Sequence, residues 1–201
     1  MKIIGLCGGS GSGKGIVCSV FAKKQIPSID TDKVYRELTS ADSECLSALR
    51  DEFGSEIILP DGSLNRKRLA EIVFASENSS FALEKLNKIS HKYILDETRK
   101  RLRKFCLDGY KAAIVDAPVL FESGFDSECD LVIAVIADKE KRIARVMERD
   151  GISYTAALQR IDSQMSDEDL ISRCDYIIRN DSDLDSLEEK VDLCLKKIFD
   201  N

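Results

Sequence analysis

Apolar residues gather along the chain in five short runs, at 2–7, 26–29, 112–116, 131–136 and 175–178. Between most of them the apolar positions recur at helical spacing, over 14–24, 139–149 and 184–198. In the last stretch Leu187, Val191, Cys194 and Ile198 fall on one face. Runs this short, with little alternation, predict strands covered on both sides. Alternating with helices, they predict an α/β fold with a doubly wound, five-stranded parallel sheet. Two stretches stand outside that alternation. Residues 40–106 read as helices broken by a turn at Pro60-Asp61-Gly62, too long for a simple crossover, and predict a helical subdomain. Residues 142–173 predict a helical, mobile lid. The remaining core, 1–39, 107–141 and 174–201, belongs with both to a single domain over 1–201.

The segment after the first run narrows the picture most. Gly8-Gly9-Ser10-Gly11-Ser12-Gly13-Lys14-Gly15 lies between Ile3-Ile4-Gly5-Leu6-Cys7 and the helically spaced Ile16, Val17, Val20 and Phe21. Strand, glycine loop and helix with G-x-x-x-x-G-K between them form a phosphate-binding loop. The glycines let successive N–H groups converge on one anion, and the helix N-terminus adds partial positive charge. Lys14 reaches the β- and γ-phosphates, so Gly8, Gly9, Gly11, Ser12, Gly13, Lys14, Gly15 and Ile16 are the expected ATP-binding residues. Gly15 breaks the pattern, since a Ser or Thr hydroxyl normally ligates Mg²⁺ there. Water, Thr31 or a carboxylate has to replace it.

Ligands in such sheets bind beyond the carboxyl ends of the strands. The loop, Asp30-Thr31-Asp32, Asp116 and Asn180 all follow strand ends, so they are expected at one crevice. A carboxylate at that edge holds Mg²⁺-bound water or accepts a proton from an attacking hydroxyl. Asp32, Asp116 and Thr31 are the metal candidates, although D-T-D serves equally well as a helix cap. After Asp116-Ala117-Pro118, the residues Val119, Leu120 and Phe121 make an apolar ledge that is either core or the wall of a substrate pocket. Arg142, Arg145 and Arg149 are three and four apart and share a helix face. Arg142 is expected on a solvated face with Glu140 and Glu148. The others are expected to close over a transferring phosphoryl group.

Composition limits the alternatives. With 201 residues, 43% hydrophobic and 33% charged, the chain reads as a soluble globular domain. Its net charge of −6 disfavours nucleic acid as a partner. The basic run Arg99-Lys100-Arg101-Leu102-Arg103-Lys104 lacks aromatic interleaving and reads as a solvated helix face. Seven cysteines without a C-x-x-C pair, and a single histidine, His91, predict reduced thiols rather than disulfides or zinc. No run reaches membrane-spanning length and the N-terminus reads as a strand, so a cytoplasmic protein is expected. Asn87-Lys88-Ile89-Ser90 lacks the acid that the guanine-binding N-K-x-D requires and is discarded.

Together these segments resemble the dephospho-CoA kinase family from residue 2 to about 190. The family loop G-L-T-G-G-I-G-S-G-K-S is similar to Gly5 through Gly15, and I-D-A-D resembles Ile29-Asp30-Thr31-Asp32. D-G-x-L-x-R-x-x-L appears as Asp61 through Leu69, containing Arg66. L-x-x-x-x-H-P-x-I resembles Leu86 to Ile94, with Lys92 in place of proline. D-x-P-L-L-F-E matches Asp116 through Glu122, and the lid pattern R-x-x-x-R-D matches Arg145, Arg149 and Asp150. Gln164 and Asn180 align with a lid glutamine and a final strand-end asparagine. The resemblance implies a P-loop, nucleoside-monophosphate-kinase-like fold and transfer of the ATP γ-phosphate to the ribose 3′-hydroxyl of dephospho-CoA, the last step of CoA synthesis. It implies Asp32, Lys14 and Arg145 as catalytic residues, and Arg149 and Asn180 at the nucleotide. Asp32, Arg66, His91, Pro118, Leu120 and Phe121 are implied at the substrate. It implies ATP and Mg²⁺ as cofactors; a monomer or weak homo-oligomer is expected. Another small-molecule or nucleoside monophosphate P-loop kinase is the nearest alternative, and Gly15 leaves open a low-activity nucleotide-binding regulatory paralogue.

Overall fold

Three of the apolar runs are buried along nearly their whole length and make the middle of the sheet. In the computed structural model, which describes residues 1–40, 42–75 and 79–200, β1 (Lys2–Cys7) lies between β3 (Ala112–Asp116) and β4 (Leu131–Ile136). Both pairings are parallel, with Leu6 opposite Asp116 and Cys7 opposite Ala134. β5 (Tyr176–Arg179) runs parallel to β4. With β2 (Ser28–Asp30) the order is β2-β3-β1-β4-β5. β2 starts later than its apolar run, after Pro27, whose ring removes the donor a ladder needs; its carbonyl still accepts from the Ile114 N–H at 2.8 Å.

The structure divides into two compact units, residues 1–29 with 104–201, and residues 30–103. In the first, α1 (Lys14–Lys23) and α9 (Leu184–Phe199) cover one core. Val17, Val20 and Phe21 meet Leu187, Val191 and Ile198 over Ile4, Leu6, Ile114 and Ile133. Close packing reaches the strands themselves: a Cβ on Gly5 would come within 2.9 Å of Leu120. α6 (Lys139–Asp150) is capped by the Asp138 carboxylate, which accepts from the Glu140 and Lys141 N–H groups. Its Ile143 and Val146 pack with Ala157 and Ile161 of α7 (Tyr154–Asp162), and α8 (Asp167–Arg173) follows.

The second unit carries α2 (Thr31–Leu38), α3 (Glu44–Phe53), α4 (Arg66–Ala75) and most of α5 (Ser79–Leu107). Its core is Cys45, Leu46, Leu49, Ile57, Leu64, Leu69 and Val73. Tyr35 and Leu38 of α2 pack against that cluster. α2 therefore groups with the helices, in the compact unit that begins at Asp30. Asp30 is the N-cap of α2, accepting from the Lys33 N–H at 3.0 Å. The turn at Pro60-Asp61-Gly62 forms as expected, with Asp61 accepting from Ser63. The basic run on α5 is a solvated face, with Arg99 paired to Asp96 and Arg101 to Glu97 and Glu37. Such exposed pairs contribute little.

Leu49 is fully buried among apolar neighbours. Leu49→Ala is expected to lower the stability of the chain by about 2–5 kcal/mol, measured by urea denaturation. A loss below about 1 kcal/mol would show that the helical core collapses around the missing side chain.

Candidate active site

Turning the N–H groups of a loop toward one anion turns its carbonyls outward, where each needs a donor. From Gly8 to Gly13 every carbonyl has one. Gly9 O accepts from the Ser12 N–H, and Gly13 O from the N–H groups of Ile16 and Val17. Side chains supply the rest. Lys14 Nζ donates to Gly8 O at 2.8 Å, and Arg142 Nε to Ser10 O at 3.0 Å. Arg145 Nη1 donates to Gly11 O at 3.0 Å, and Asn180 Nδ2 to Ser12 O at 2.8 Å. Arg145 also donates through Nη2 to the Asn180 carbonyl.

Two glycines make this close approach possible. Gly11 has φ +78, and a Cβ there would lie 2.5 Å from the Arg142 carbonyl oxygen. Gly13, the left-handed N-cap of α1, has φ +92, and its Cβ would lie 2.1 Å from Asn180 Nδ2. No side chain fits either position.

The loop is short of acceptors on its inner side. Within the described residues no protein acceptor takes the N–H groups of Gly11, Gly13 or Lys14, and Ser12 Oγ is buried without a partner. A chain of phosphate oxygens supplies what is missing, so the residues present fit a nucleoside triphosphate. Asp116, opposite Leu6 at the end of β3, has Cys18 Sγ of α1 3.8 Å from its Oδ2. That carboxylate offers the hard oxygens that suit a magnesium ion taking its other ligands from phosphate and water.

Arg142 overturns its sequence reading. It is 5% exposed instead of solvated, and its Nη1 pairs with Asp167 Oδ1 of α8 at 2.9 Å. Its position on the first turn of α6, facing the loop, puts the guanidinium under Ser10. Gln164, between α7 and α8, accepts the Ser10 N–H at 2.7 Å. Arg149, by contrast, is bonded at the end of α6 and not to the loop. Asp150 grips it at 2.7 Å and 2.8 Å and raises its pKa, and Asp150 also pairs with Arg160. Leu120 is likewise a correction. It is fully buried beneath Gly5 and belongs to the core. Pro118 and Phe121 do reach open space, lining a cavity of about 240 Å³ with Gly8, Gly9 and Met165. Ile16 is exposed.

The remaining candidates lie in the helical unit. Asp32 is exposed on the first turn of α2, and Thr31 is buried at its start. Arg66 Nη2 donates to Thr39 Oγ1 at 2.8 Å, and its guanidinium lies over the Tyr35 ring at 5.2 Å. His91 sits half-buried in α5.

A phosphate loop at the end of the first strand of a parallel sheet, held by arginines from a later helix, defines a P-loop kinase. The family model for dephospho-CoA kinase matches residues 2–186. A dephospho-CoA kinase of Fusobacterium nucleatum is 39% identical over 195 residues, covering 96% of each chain. One of Lactobacillus johnsonii is 33% identical, covering 97% of each. The solved dephospho-CoA kinase of Campylobacter jejuni, 25% identical, superposes with a TM-score of 0.71 over 98% of each chain. The chain belongs to the dephospho-CoA kinase family.

Arg142→Ala removes a buried cation and leaves Ser10 O and Asp167 without their donor. It is expected to cost about 2–4 kcal/mol of stability and to weaken ATP binding. Arg142→Lys should not restore either property, since one ammonium cannot reproduce the two-pronged fork. Denaturation and nucleotide titration of both variants check this, and wild-type values for Arg142→Ala would return Arg142 to the solvent.

Proposed function

We propose that the chain transfers the ATP γ-phosphoryl group to the ribose 3′-hydroxyl of dephospho-CoA, giving CoA and ADP in the last step of CoA biosynthesis. The observation that carries the reading is the phosphate loop with every carbonyl from Gly8 to Gly13 hydrogen-bonded, in a chain of this family. Gly8, Gly9, Gly11, Ser12, Gly13 and Lys14 hold the triphosphate, with Gly15 and Ile16 opening the helix behind it. Arg145 keeps positive charge beside the transferring group, where the transition state spreads its negative charge over the equatorial oxygens. Asn180 positions the loop through Ser12, and Arg149 belongs to the nucleotide side of the lid, residues 142–173.

Asp32 orients the acceptor hydroxyl. A ribose hydroxyl has a far higher pKa than a carboxylate, so Asp32 does not deprotonate it outright. It accepts the proton late, as the loose transition state collapses to product. Arg66, His91, Pro118 and Phe121 bind the substrate. Asp116, with Asp32, would hold magnesium, which when bound neutralises charge on the β- and γ-phosphates. Thr31, buried at the start of α2, is the weaker ligand candidate.

ADP release coupled to dephospho-CoA, set against a panel of nucleoside monophosphates, tests the assignment. Turnover with AMP and none with dephospho-CoA would overturn it. Asp32→Asn keeps the shape and removes the acceptor charge. Its turnover is expected to fall by about 10²–10⁴-fold with ATP affinity kept, and near wild-type turnover would remove Asp32 from the mechanism.

Gly15 gives an independent test of the metal. A Cβ there meets nothing within 4 Å, so Gly15→Ser adds a hydroxyl without strain. The variant is expected to reach half-maximal rate at lower Mg²⁺ and to gain roughly 0.5–1 kcal/mol of stability. A Mg²⁺ titration at saturating ATP checks it. An unchanged midpoint would assign that coordination position to another group.

A further inference from the structure

Cys7 ends β1, immediately before the phosphate loop, and Cys174 follows α8. Their Sγ atoms lie 3.5 Å apart across 167 positions of sequence. Both are free thiols. Cys7 is 2% exposed, while Cys174 is half-buried and open to solvent on one side. We propose that Cys7 and Cys174 are a redox-active pair that closes to a disulfide on reaction with a low-molecular-weight disulfide, and that closure stops phosphoryl transfer.

The geometry orders the two steps. Cys174, the accessible member, attacks one sulfur of the small disulfide as its thiolate. One thiolate leaves and takes a proton from solvent, and Cys174 is left as a mixed disulfide. Cys7, already in contact, gives up its proton and attacks Cys174 Sγ, expelling the second small thiol. One disulfide is reduced to two thiols, and two cysteines are oxidised to one cystine. The hydrogen bond between the pair supports this division, holding Cys7 protonated and favouring the Cys174 thiolate.

A disulfide needs its sulfurs about 2 Å apart, so closure draws the two sulfurs together by more than an ångström and pulls on the segments that carry them. Cys7 is bonded to Gly8, whose carbonyl holds Lys14. Cys174 adjoins α8, whose Asp167 holds Arg142 under Ser10. Displacement on either side therefore reaches the loop. Shifts of this size in a phosphoryl-transfer site cost about 10²-fold in rate.

The test treats the full chain anaerobically with oxidised glutathione. The expected product has a Cys7–Cys174 cross-link in peptide mass mapping and turnover lower by about 10–100-fold, both reversed by dithiothreitol. C174S is expected to keep its turnover under the same treatment. C106S, which alters an exposed cysteine on α5, is expected to respond as the wild type does. Absence of the cross-link where Cys106 is glutathionylated would overturn the proposal, as would a cross-linked enzyme with undiminished turnover. The rate readout rests on the kinase reading above, but the cross-link does not. A wrong substrate would already show in the reduced enzyme.

Discussion

The phosphate loop depends on hydrogen bonds made on the side away from the phosphates. An unpaired carbonyl buried there would cost on the order of 1–3 kcal/mol, and several would favour a loop turned the other way. Lys14, Arg142, Arg145 and Asn180 prevent this. Three of the four donors are cations, so the groups that fix the backbone also raise the potential felt by an approaching triphosphate. Scaffold and charge are supplied by the same side chains. The glycines at 11 and 13 follow from that arrangement, because a methyl group would run into the α6 backbone at Arg142 from the first and into the Asn180 amide from the second.

Three arginines of α6 show how neighbours decide the fate of like residues. Arg142 is enclosed and shares its fork between a loop carbonyl and Asp167. Arg145 is half-buried and spans Gly11 and Asn180. Arg149 lies at the helix end, where the adjacent Asp150 takes both arms of its guanidinium. A rigid planar fork suits all three settings, yet only the first two join α6 to the loop.

Much of this was legible in the sequence. Buried parallel strands announce themselves as unbroken apolar runs, and the glycine loop by its fixed spacing, so sheet, loop and flanking helices lie within a few residues of expectation. Arg142 was hidden because charges three and four apart look the same on a wet helix face as on a packed one. The contact that decides between them lies 132 positions away. Leu120 was ambiguous for a similar reason: an apolar residue after a strand is core or pocket wall depending on what stands opposite, here Gly5. The membership of α2 turned on Tyr35 and Leu38 meeting the helical cluster, a tertiary contact with no local signature.

The placement of the loop's donors bears on how the protein is made. The loop leaves the ribosome well before three of its four side-chain donors, which come from positions 142, 145 and 180. These are contacts of large sequence separation, which form late and at a high cost in chain entropy. During synthesis the glycine segment therefore has its local bonds and Lys14 but not its outer support. Nucleotide affinity is therefore acquired late, once α6 has brought its arginines and β5 has joined the sheet and delivered Asn180. A nascent chain that has displayed the whole motif is still not a nucleotide-binding protein.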